Sequence, residues 1–397
     1  CENVVGIRYD KKLAKCPVCI HCGQCVLNCP TGALVPKYQY HKVLDYIHDT
    51  DKIVIVSTSP AVRVALGEEF GMQPGSFVEG KMVAALRKLG FNYVFDTTFG
   101  ADLTIMEEAS ELIERLQKGI CLPQFTSCCP AWVKYMEIYH PKLLSHLSTS
   151  KSPIGMQGAI IKTYFCNMME IDPQRVINVA LTPCTAKKFE IERPELCDSG
   201  KFQGQSDLRD MDYVITTSEL AMMMREQGID FSSLEDASYD SLLNRGSGAG
   251  VIFGNTGGVM EAALRTAYHF ITGKGAPKDL LQLEQVRGMK QVKEAQITIL
   301  NHSLKVAVVH GIPNVEPLLQ KLEEGTLDYD FIEVMNCKGG CIGGGGQPLT
   351  AINKQDEVRQ SRIAGLYQSD ENDQVRCSYQ NEDIKAIYQS FLHQPLS

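Results

Sequence analysis

Several features that are common in other classes of protein are missing from this chain. No apolar run reaches the roughly 20 residues that a membrane-spanning helix needs, and no secretory signal peptide is visible. Positive charge is in deficit, because 39 Lys and Arg residues face 47 Asp and Glu residues, giving a net charge of −8. Nucleic-acid binding needs a concentrated positive surface. We therefore expect no membrane and no nucleic acid among the partners, and a cytoplasmic location.

What is present is an ordinary globular composition with one local departure. The 397 residues are 44% hydrophobic and 22% charged, which suits a chain with a substantial core. Residues 1–42 carry six Lys and Arg residues against two acidic ones. This indicates either a solvated basic face or a docking patch for an acidic electron carrier. The sequence starts at Cys1, inside what resembles an unfinished cysteine motif, so we expect an N-terminal portion to precede it.

Fifteen cysteines are many for a chain without a secretory signal, and their clustering favours metal ligation over disulfides. The first cluster is Cys19-x-x-Cys22-x-x-Cys25-x-x-x-Cys29. Zinc prefers two well-separated pairs, whereas this spacing is typical of a [4Fe–4S] cubane whose motif passes its last cysteine to a second cluster. We expect Cys19, Cys22 and Cys25 to hold one accessory cluster, with Cys1 as its fourth ligand. Cys29 would then serve a second cluster that upstream residues complete.

Beyond this block, apolar β-branched runs alternate with helical patterns, which favours α/β architecture with mainly parallel sheets. The predicted strands cover residues 52–58, 91–95, 175–182, 212–216, 251–253, 305–309 and 329–335. A helix is predicted over residues 104–118, where Thr104 and Glu107 suggest a capping box. Residues 273–275 and 367–376 are predicted loops.

Three further groups of cysteines each follow a predicted strand or a short apolar segment. They are T-S-C-C-P-A-W at 126–132, L-T-P-C-T-A-K-K-F-E at 181–190 and N-C-K-G-G-C-I-G-G-G-G at 336–346. The carboxyl ends of parallel strands are where α/β proteins build their sites, so we expect the three loops to converge. Together they offer four cubane ligands and one thiol more: Cys128, Cys129, Cys184, Cys337 and Cys341. The glycines of the third loop are expected to make room for a large cofactor.

With these motifs the chain resembles the [FeFe]-hydrogenases, whose three signature motifs the loops match in order and separation. The likeness covers essentially the whole chain, including residues 96–109 and the run 254–265, which lacks the Gly-Lys-Ser/Thr ending of a nucleotide loop. It implies a two-lobed α/β catalytic domain at 45–397, with a wrapping C-terminal segment, after a partial ferredoxin-like domain at 1–44. The implied reaction is the reversible oxidation of dihydrogen to protons. Electrons would pass through [4Fe–4S] clusters to ferredoxin or a similar acidic carrier.

The resemblance also implies a cofactor, the H-cluster. In the family it joins a [4Fe–4S] cubane through one cysteine to a diiron unit, which bears carbon monoxide, cyanide and a bridging dithiolate with a pendant amine. Carried onto this chain, Cys129, Cys184 and Cys337 bind the cubane, and Cys341 binds it and bridges to the diiron unit. Cys128 corresponds to the thiol that passes protons to and from the amine.

A proton route is implied on the predicted helix. Glu108, Glu111 and Arg115 share one helix face, a spacing that by itself usually indicates a solvated face with an ion pair. The resemblance implies instead that the two glutamates relay protons, with Ser148 between them. Arg115 would lie at the mouth of this route.

The same resemblance places other side chains around the diiron unit. Lys187 corresponds to a lysine that pairs with a cyanide ligand, as suits a fixed cation beside an anion, and Glu190 to an acid near the site. Met335 and Phe253 are expected to form an apolar wall that keeps water from the open iron position. The other residues assigned to the cofactor site are Ser59, Pro60, Thr182 and Pro183.

Three positions depart from the family's usual pattern. Thr182 stands where Met is usual, Ala61 stands where Ser usually follows the proline, and Ile154 stands where Gln is common. Our hypothesis is a divergent subgroup in which the cofactor assembles but its hydrogen bonding differs.

Two rival functions stay open. A hydrogen sensor would keep the cluster ligands but commonly lose the relay, so the presence of Cys128, Glu108 and Glu111 disfavours it. An iron–sulfur assembly protein of the hydrogenase-like type would lack the features that hold the diiron unit. Lys187 and Met335, together with Cys341, disfavour that function.

Overall fold

Two four-stranded sheets form the centre of the protein. The structure is a computed structural model that describes residues 16–241, 243 and 245–396. The strands in this part of the chain are β1 (Ile53–Thr58), β2 (Tyr93–Asp96), β3 (Gln124–Phe125), β4 (Val176–Thr182), β5 (Tyr213–Thr216), β6 (Val292–Ile299), β7 (His302–His310) and β8 (Phe331–Met335). The α/β class with mainly parallel sheets is therefore confirmed.

Helices cover the faces of both sheets. In chain order they are α1 (Gln24–Leu27), α2 (Tyr40–Ile47), α3 (Glu79–Leu89), α4 (Thr97–Lys118), α5 (Pro130–Tyr139), α6 (Pro153–Ile160), α7 (Cys166–Met168), α8 (Lys187–Glu190), α9 (Asp198–Gln203), α10 (Thr217–Glu226), α11 (Gly248–Ile252), α12 (Gly258–Thr272), α13 (Lys278–Leu281), α14 (Ile312–Glu323), α15 (Gln355–Glu371) and α16 (Glu382–Ile387). Within the described ranges, none of them is long and apolar enough to cross a bilayer. The predicted domain boundary after residue 44 lies within α2 and stays a prediction.

The first sheet has the strand order β2-β1-β4-β5 and is parallel throughout. Successive side chains of a strand point to opposite faces, and in β1 both faces are buried. Val54 and Val56 pack with residues of α2, α3 and α10, whereas Ile55 packs on the other face with residues of α4 and α6. Burial on both faces explains why these strands appear in the sequence as continuous apolar runs.

The second sheet has the order β3-β8-β7-β6, with β6 antiparallel to β7 and the other pairs parallel. The sequence did not predict β6. As an edge strand, it alternates buried Lys293, Ile297 and Ile299 with exposed polar residues, so it contains no apolar run. Helices α5 and α14 pack on one face of this sheet and α12 on the other.

The helix predicted over residues 104–118 begins seven residues earlier, at Thr97. Its N-cap is Asp96, whose carboxylate accepts a hydrogen bond from the amide of Thr98 at 3.0 Å. The proposed capping box at Thr104 is therefore wrong. The Thr104 hydroxyl lies in mid-helix and donates to the carbonyls of Gly100 and Lys151, both at 3.0 Å.

Two other predictions need correction. The segment 251–253 is the end of the buried helix α11 rather than a strand. Because every residue of this helix is buried, its sequence shows no helical period and has the pattern of a short buried strand. The predicted loop 367–376 is partly helical, since α15 continues to Glu371. The loop at 273–275 is confirmed, and Gly273 ends α12 with a φ of 68°.

Candidate active site

The three cysteine loops surround one cavity at the carboxyl ends of the parallel strands. They follow β3 and β8 of the second sheet and β4 of the first, and their cysteines line the same cavity. With the exception of Glu190, the predicted cubane and diiron-side positions line it: Ser59, Pro60, Cys128, Cys129, Thr182, Pro183, Cys184, Lys187, Phe253, Met335, Cys337 and Cys341. The divergent positions Ala61 and Ile154 line it as well.

Several lining positions were missed in the sequence. Asn336 directly precedes a predicted ligand, Pro153 directly precedes the divergent position Ile154, and Gly254 begins the run 254–265 that resembles the family. None of these three residues is itself a cysteine or a charged residue, so its chemistry does not indicate a lining position. Thr97 and Ala101 were missed for another reason, because the start of α4 was placed too late.

The glycines of the third loop serve close packing between backbones. A Cβ on Gly340, which has a φ of 94°, would lie 2.6 Å from the amide nitrogen of Thr256. A Cβ on Gly344 would lie 2.4 Å from the carbonyl oxygen of Pro183 in the second loop. The expectation that these glycines make room for the cofactor is therefore corrected, because their side-chain positions are already filled by neighbouring chain segments.

The residues around the cavity fit an iron–sulfur cubane. Four thiolates on separate irons are the usual ligand set, and the loops supply five thiols in a space with an otherwise largely apolar lining. Burial raises the pKa of Cys184 to about 12 and raises the pKa of Cys337 well above its ordinary value. Such buried thiols become thiolates only when a cation binds them. In the described ranges no three potential ligands converge on a single ion, whereas a cubane needs its thiolates spread around it.

Lys187 supplies a fixed positive charge at the cavity wall. Its Nζ donates to the carbonyl oxygen of Cys128 at 3.2 Å and lies 2.7 Å from Oε2 of Glu190, and both side chains are about nine-tenths buried. Burial alone would lower the pKa of Lys187, but the charges of Glu190 and the nearby thiols raise it above its ordinary value. The ammonium group therefore stays charged. The structure places Glu190 outside the cavity lining, as the partner of this lysine.

The predicted relay residues pack together behind Cys128. Oε1 of Glu111 accepts from Nη2 of Arg115 at 2.7 Å, and Oε2 accepts from the Ser148 hydroxyl at 2.8 Å and the Thr149 amide at 2.9 Å. Arg115 also donates to the carbonyl of Leu147 at 2.8 Å. These bonds tie α4 to the segment that precedes α6, and they hold the Glu111 carboxylate in one orientation.

Glu108 lies one helical turn before Glu111 and is fully buried. Among the described residues no donor meets either of its carboxylate oxygens with full hydrogen-bond geometry, although the Ser148 hydroxyl and the Ser127 amide are close enough to lower its pKa. Burial, together with the charge of Glu111, raises the pKa of Glu108 to about 8. Glu108 is also close enough to Cys128 for its charge to add to the burial that raises the pKa of that thiol. A buried carboxyl group that is mostly protonated at neutral pH thus lies between Glu111 and Cys128.

The predicted accessory ligands lie on the other side of the third loop. Cys19 and Cys25 line a second, more open cavity together with Lys134 and Phe189. The thiol of Cys29 lies 3.6 Å from the hydroxyl of Thr31 and does not face this cavity. Cys22 contributes backbone next to Gly345. Cys1 lies outside the described residues, so the accessory ligand set stays a prediction.

A thiol-lined cavity at the carboxyl ends of parallel strands defines an iron–sulfur protein of the α/β class. Family comparison gives the particular group. The family described as "Iron only hydrogenase large subunit, C-terminal domain" matches residues 52–345, "Iron hydrogenase small subunit" matches residues 356–397, and "4Fe-4S binding domain" matches residues 18–35. The chain belongs to the iron-only, or [FeFe]-, hydrogenase family, which confirms the resemblance inferred from its motifs.

Individual relatives agree with this assignment. The NADP-reducing hydrogenase subunit HndD of Solidesulfovibrio fructosivorans is 46% identical over 99% of the chain, which spans 66% of that relative's length. The periplasmic [Fe] hydrogenase large subunit of Nitratidesulfovibrio vulgaris is 47% identical over 88% of the chain and 89% of its own length. An apo [FeFe]-hydrogenase variant from Chlamydomonas reinhardtii superposes with a TM-score of 0.79 at 39% identity, covering 90% of this chain and 95% of that one.

More distant relatives are named for a different role, in iron–sulfur assembly. The cytosolic iron-sulfur assembly component 3 of Bos taurus is 31% identical over 90% of this chain and 77% of its own length. The hydrogenases named above are the more similar relatives.

Proposed function

We propose that this chain catalyses the reversible oxidation of dihydrogen to protons and electrons at an H-cluster. The observation that carries the proposal is the convergence of five thiols and one buried, fixed cation on a single cavity in a chain of the [FeFe]-hydrogenase family. The cubane ligands in this proposal are Cys129, Cys184, Cys337 and Cys341, and Cys341 also holds the diiron unit with its carbon monoxide, cyanide and dithiolate ligands. When bound, the H-cluster supplies the redox-active irons and the basic amine at which dihydrogen is cleaved or formed.

The chain itself moves the protons. The thiol of Cys128 lines the cavity, so we assign it the exchange of protons with the cofactor's amine. Glu108 takes the next place because it is buried, has a raised pKa and lies between Cys128 and Glu111. The Ser148 hydroxyl and the Glu111 carboxylate, joined at 2.8 Å, continue the route toward Arg115. Each member can both bind and release a proton, except Arg115, which orients Glu111.

The same residues keep water out of the cavity. Met335 and Phe253 are 2% and 6% exposed and present apolar side chains on the side of the second sheet and α11. On the side of the first sheet the cavity is lined by Ser59, Pro60, Thr182 and Pro183. Lys187 pairs in this proposal with a cyanide ligand, because a buried ammonium group stabilises a neighbouring anion.

Electrons enter through the cysteine block at residues 19–29, which lies within a match to a [4Fe–4S] binding domain. We propose that Cys19, Cys22 and Cys25 bind a [4Fe–4S] cluster there, with Cys1 as its fourth ligand. Cys29 is proposed as a ligand of a second cluster. Ferredoxin or a similar acidic carrier is proposed to dock nearby. A cytoplasmic location belongs to the same proposal.

Two other functions make different predictions for one experiment. Iron–sulfur assembly is favoured only by the relatives at about 31% identity, and hydrogen sensing by no feature of the site. Purified protein with reconstituted cubanes is incubated with a synthetic diiron cofactor, desalted and measured by infrared spectroscopy. Carbon monoxide and cyanide bands that remain after desalting support the proposal. Absence of such bands, with the cubanes intact, overturns it in favour of assembly, whereas bands without any turnover favour a sensor.

A further inference from the structure

The side-chain amide of Gln24 connects the two cysteine-rich regions of the protein. Gln24 begins α1, directly before the predicted accessory ligand Cys25. Its Nε2 donates to Sγ of Cys337 at 3.2 Å and to the carbonyl oxygen of Gly343 at 2.9 Å. A residue from the electron-entry block thus contacts the sulfur of a residue in the main cavity.

Close backbone packing fixes this contact. Gly23 has a φ of 70°, and a Cβ there would lie 2.4 Å from Oγ1 of Thr185. That hydroxyl donates to the carbonyl oxygen of His21 at 2.8 Å. On the other side, a Cβ on Gly345 would lie 2.5 Å from the carbonyl oxygen of Cys22. Because the chain directly before Gln24 is held between the second and third loops, its amide has little freedom to leave Cys337.

Hydrogen bonds to a cysteine sulfur change the potential of the cluster that it binds. One-electron reduction adds negative charge to the cluster and its thiolates, and a donor to the sulfur stabilises this reduced form. In the described part of the chain, the side-chain donors to this sulfur are Gln24 at 3.2 Å and Asn336 at 3.7 Å. Gln24 is the closer of the two and the one that comes from the accessory block.

We propose that Gln24 is a positioning residue that raises the reduction potential of the cubane bound by Cys337, and so favours electron arrival from the accessory cluster. The inference rests on the proposed function, because it takes Cys337 as a cubane ligand. It adds a role for a residue that is not itself a ligand. The side chain that packs the accessory block onto the third loop also shifts the reduction potential of the cubane that receives the electron.

The test is an EPR-monitored redox titration of protein that carries its cubanes but no diiron unit. The cubane bound by Cys337, Cys184 and their partners is called the main cubane. Its EPR signal is assigned as the one that is lost in Cys184→Ala. Gln24→Leu, which keeps the bulk but not the donor, is expected to lower the potential of this signal, and Gln24→Glu to lower it further by placing an acceptor there. Gln355→Leu is the matched control, since that amide donates to Oδ1 of Asn28 at 3.2 Å and to no sulfur.

A second measurement uses the wild-type protein and therefore does not depend on the folding of a variant. Protein labelled with ¹⁵N in glutamine side chains is reduced and measured by pulsed EPR, and a weak nitrogen coupling to the main cubane is expected. The inference is overturned if the wild-type protein shows no such coupling, or if Gln24→Leu and Gln24→Glu titrate at the wild-type potential with intact cubane signals. If no cubane signal depends on Cys184, the proposed function fails instead, so the two failures are distinguishable.

Discussion

The hydroxyl of Ser148 donates to Oε2 of Glu111 across 2.8 Å, joining the segment that precedes α6 to the middle of α4. The other oxygen of this carboxylate accepts from Arg115 at 2.7 Å. One oxygen is therefore oriented by a fixed cation while the other meets a group that can both donate and accept a proton. A glutamate in the middle of a proton relay needs one oxygen that is held in place and one that can exchange a proton.

Replacing Ser148 by Ala should slow turnover without disturbing the cofactor. Glu111 keeps its bonds to Arg115 and Thr149, so the fold is expected to hold, but the hydroxyl that passes the proton is gone. Positioned proton transfer is worth roughly 10²-fold or more in rate, and a loss of this order is expected in hydrogen evolution by the loaded protein. Ser150→Ala is the control, because the Ser150 hydroxyl is also buried but has no hydrogen-bond partner in the described residues. Equal rates of hydrogen evolution in the two variants would show that Ser148 is not part of the proton route.

Glu108 should titrate near pH 8 rather than near its ordinary value of 4.5. Because the folded protein holds this proton more tightly than the unfolded chain, Glu108 makes stability fall as pH rises from about 4.5 to about 8, and the loss is complete above that. Difference infrared spectra should show a protonated carboxyl band that disappears through about pH 8 and is absent from Glu108→Gln. Glu114→Gln, on the surface of the same helix, should leave the band unchanged. A carboxyl band of Glu108 that has already vanished at pH 6 would contradict the assignment.

Lys187→Met should weaken retention of the diiron unit and leave the cubane in place. The ammonium group is buried and fixed by Glu190, and a hydrogen bond to a charged group contributes roughly 1.5–3 kcal/mol, or about 10- to 100-fold in binding. The measurement is the intensity of the carbonyl and cyanide infrared bands after desalting, relative to cubane absorbance. Lys118→Met, which removes an exposed partner of Glu114, is expected to behave as wild type. Wild-type retention in Lys187→Met would show that the cation does not hold the cofactor.

Gly340→Ala should damage the site far more than the same change at Gly119. Both glycines have positive φ, 94° and 64°. Gly119 lies in the left-handed helical region, where alanine costs roughly 1–2 kcal/mol, whereas Gly340 has a ψ of −155°, in a region that is almost confined to glycine, so the backbone cost is larger there. Only at Gly340 would the new Cβ meet backbone, 2.6 Å from the amide nitrogen of Thr256, whereas nothing lies within 4 Å at Gly119. Reconstituted iron content and the thermal midpoint should both drop in Gly340→Ala, with only a small drop in midpoint for Gly119→Ala. Matching iron content in the two variants would contradict the packing explanation.

The sequence predicted the site better than the helices that carry it. Cysteine has few structural uses at such density, and the three cysteine loops follow strand ends. Their convergence on one cavity could therefore be predicted from chain order alone. The start of α4 could not, because the Thr104–Glu107 spacing imitates a cap while the actual cap, Asp96, also bonds the buried Arg63. Local patterns do not reveal such a tertiary contact.

Other parts of the site depend on contacts between distant segments. The incomplete hydrogen bonding of Glu108 and the bond from Gln24 to Cys337 each depend on how separate loops pack, and the second joins residues 313 positions apart. The glycines of the third loop predict room for a cofactor, whereas in the structure neighbouring backbone segments lie against them. What approaches them could be known only once the loop following β4 and the accessory block were placed against them.

The most direct test of the proposed activity is hydrogen evolution by protein loaded with the diiron cofactor, measured beside Cys128→Ala and Cys166→Ala. Cys166 is a buried thiol in another part of the core, so its variant controls for the loss of a sulfur. We predict turnover in the wild type and in Cys166→Ala. Cys128→Ala should show the same infrared bands but turnover lower by roughly 10²-fold or more. Loaded wild-type protein that makes no hydrogen, or Cys128→Ala that makes it at the wild-type rate, would contradict the account.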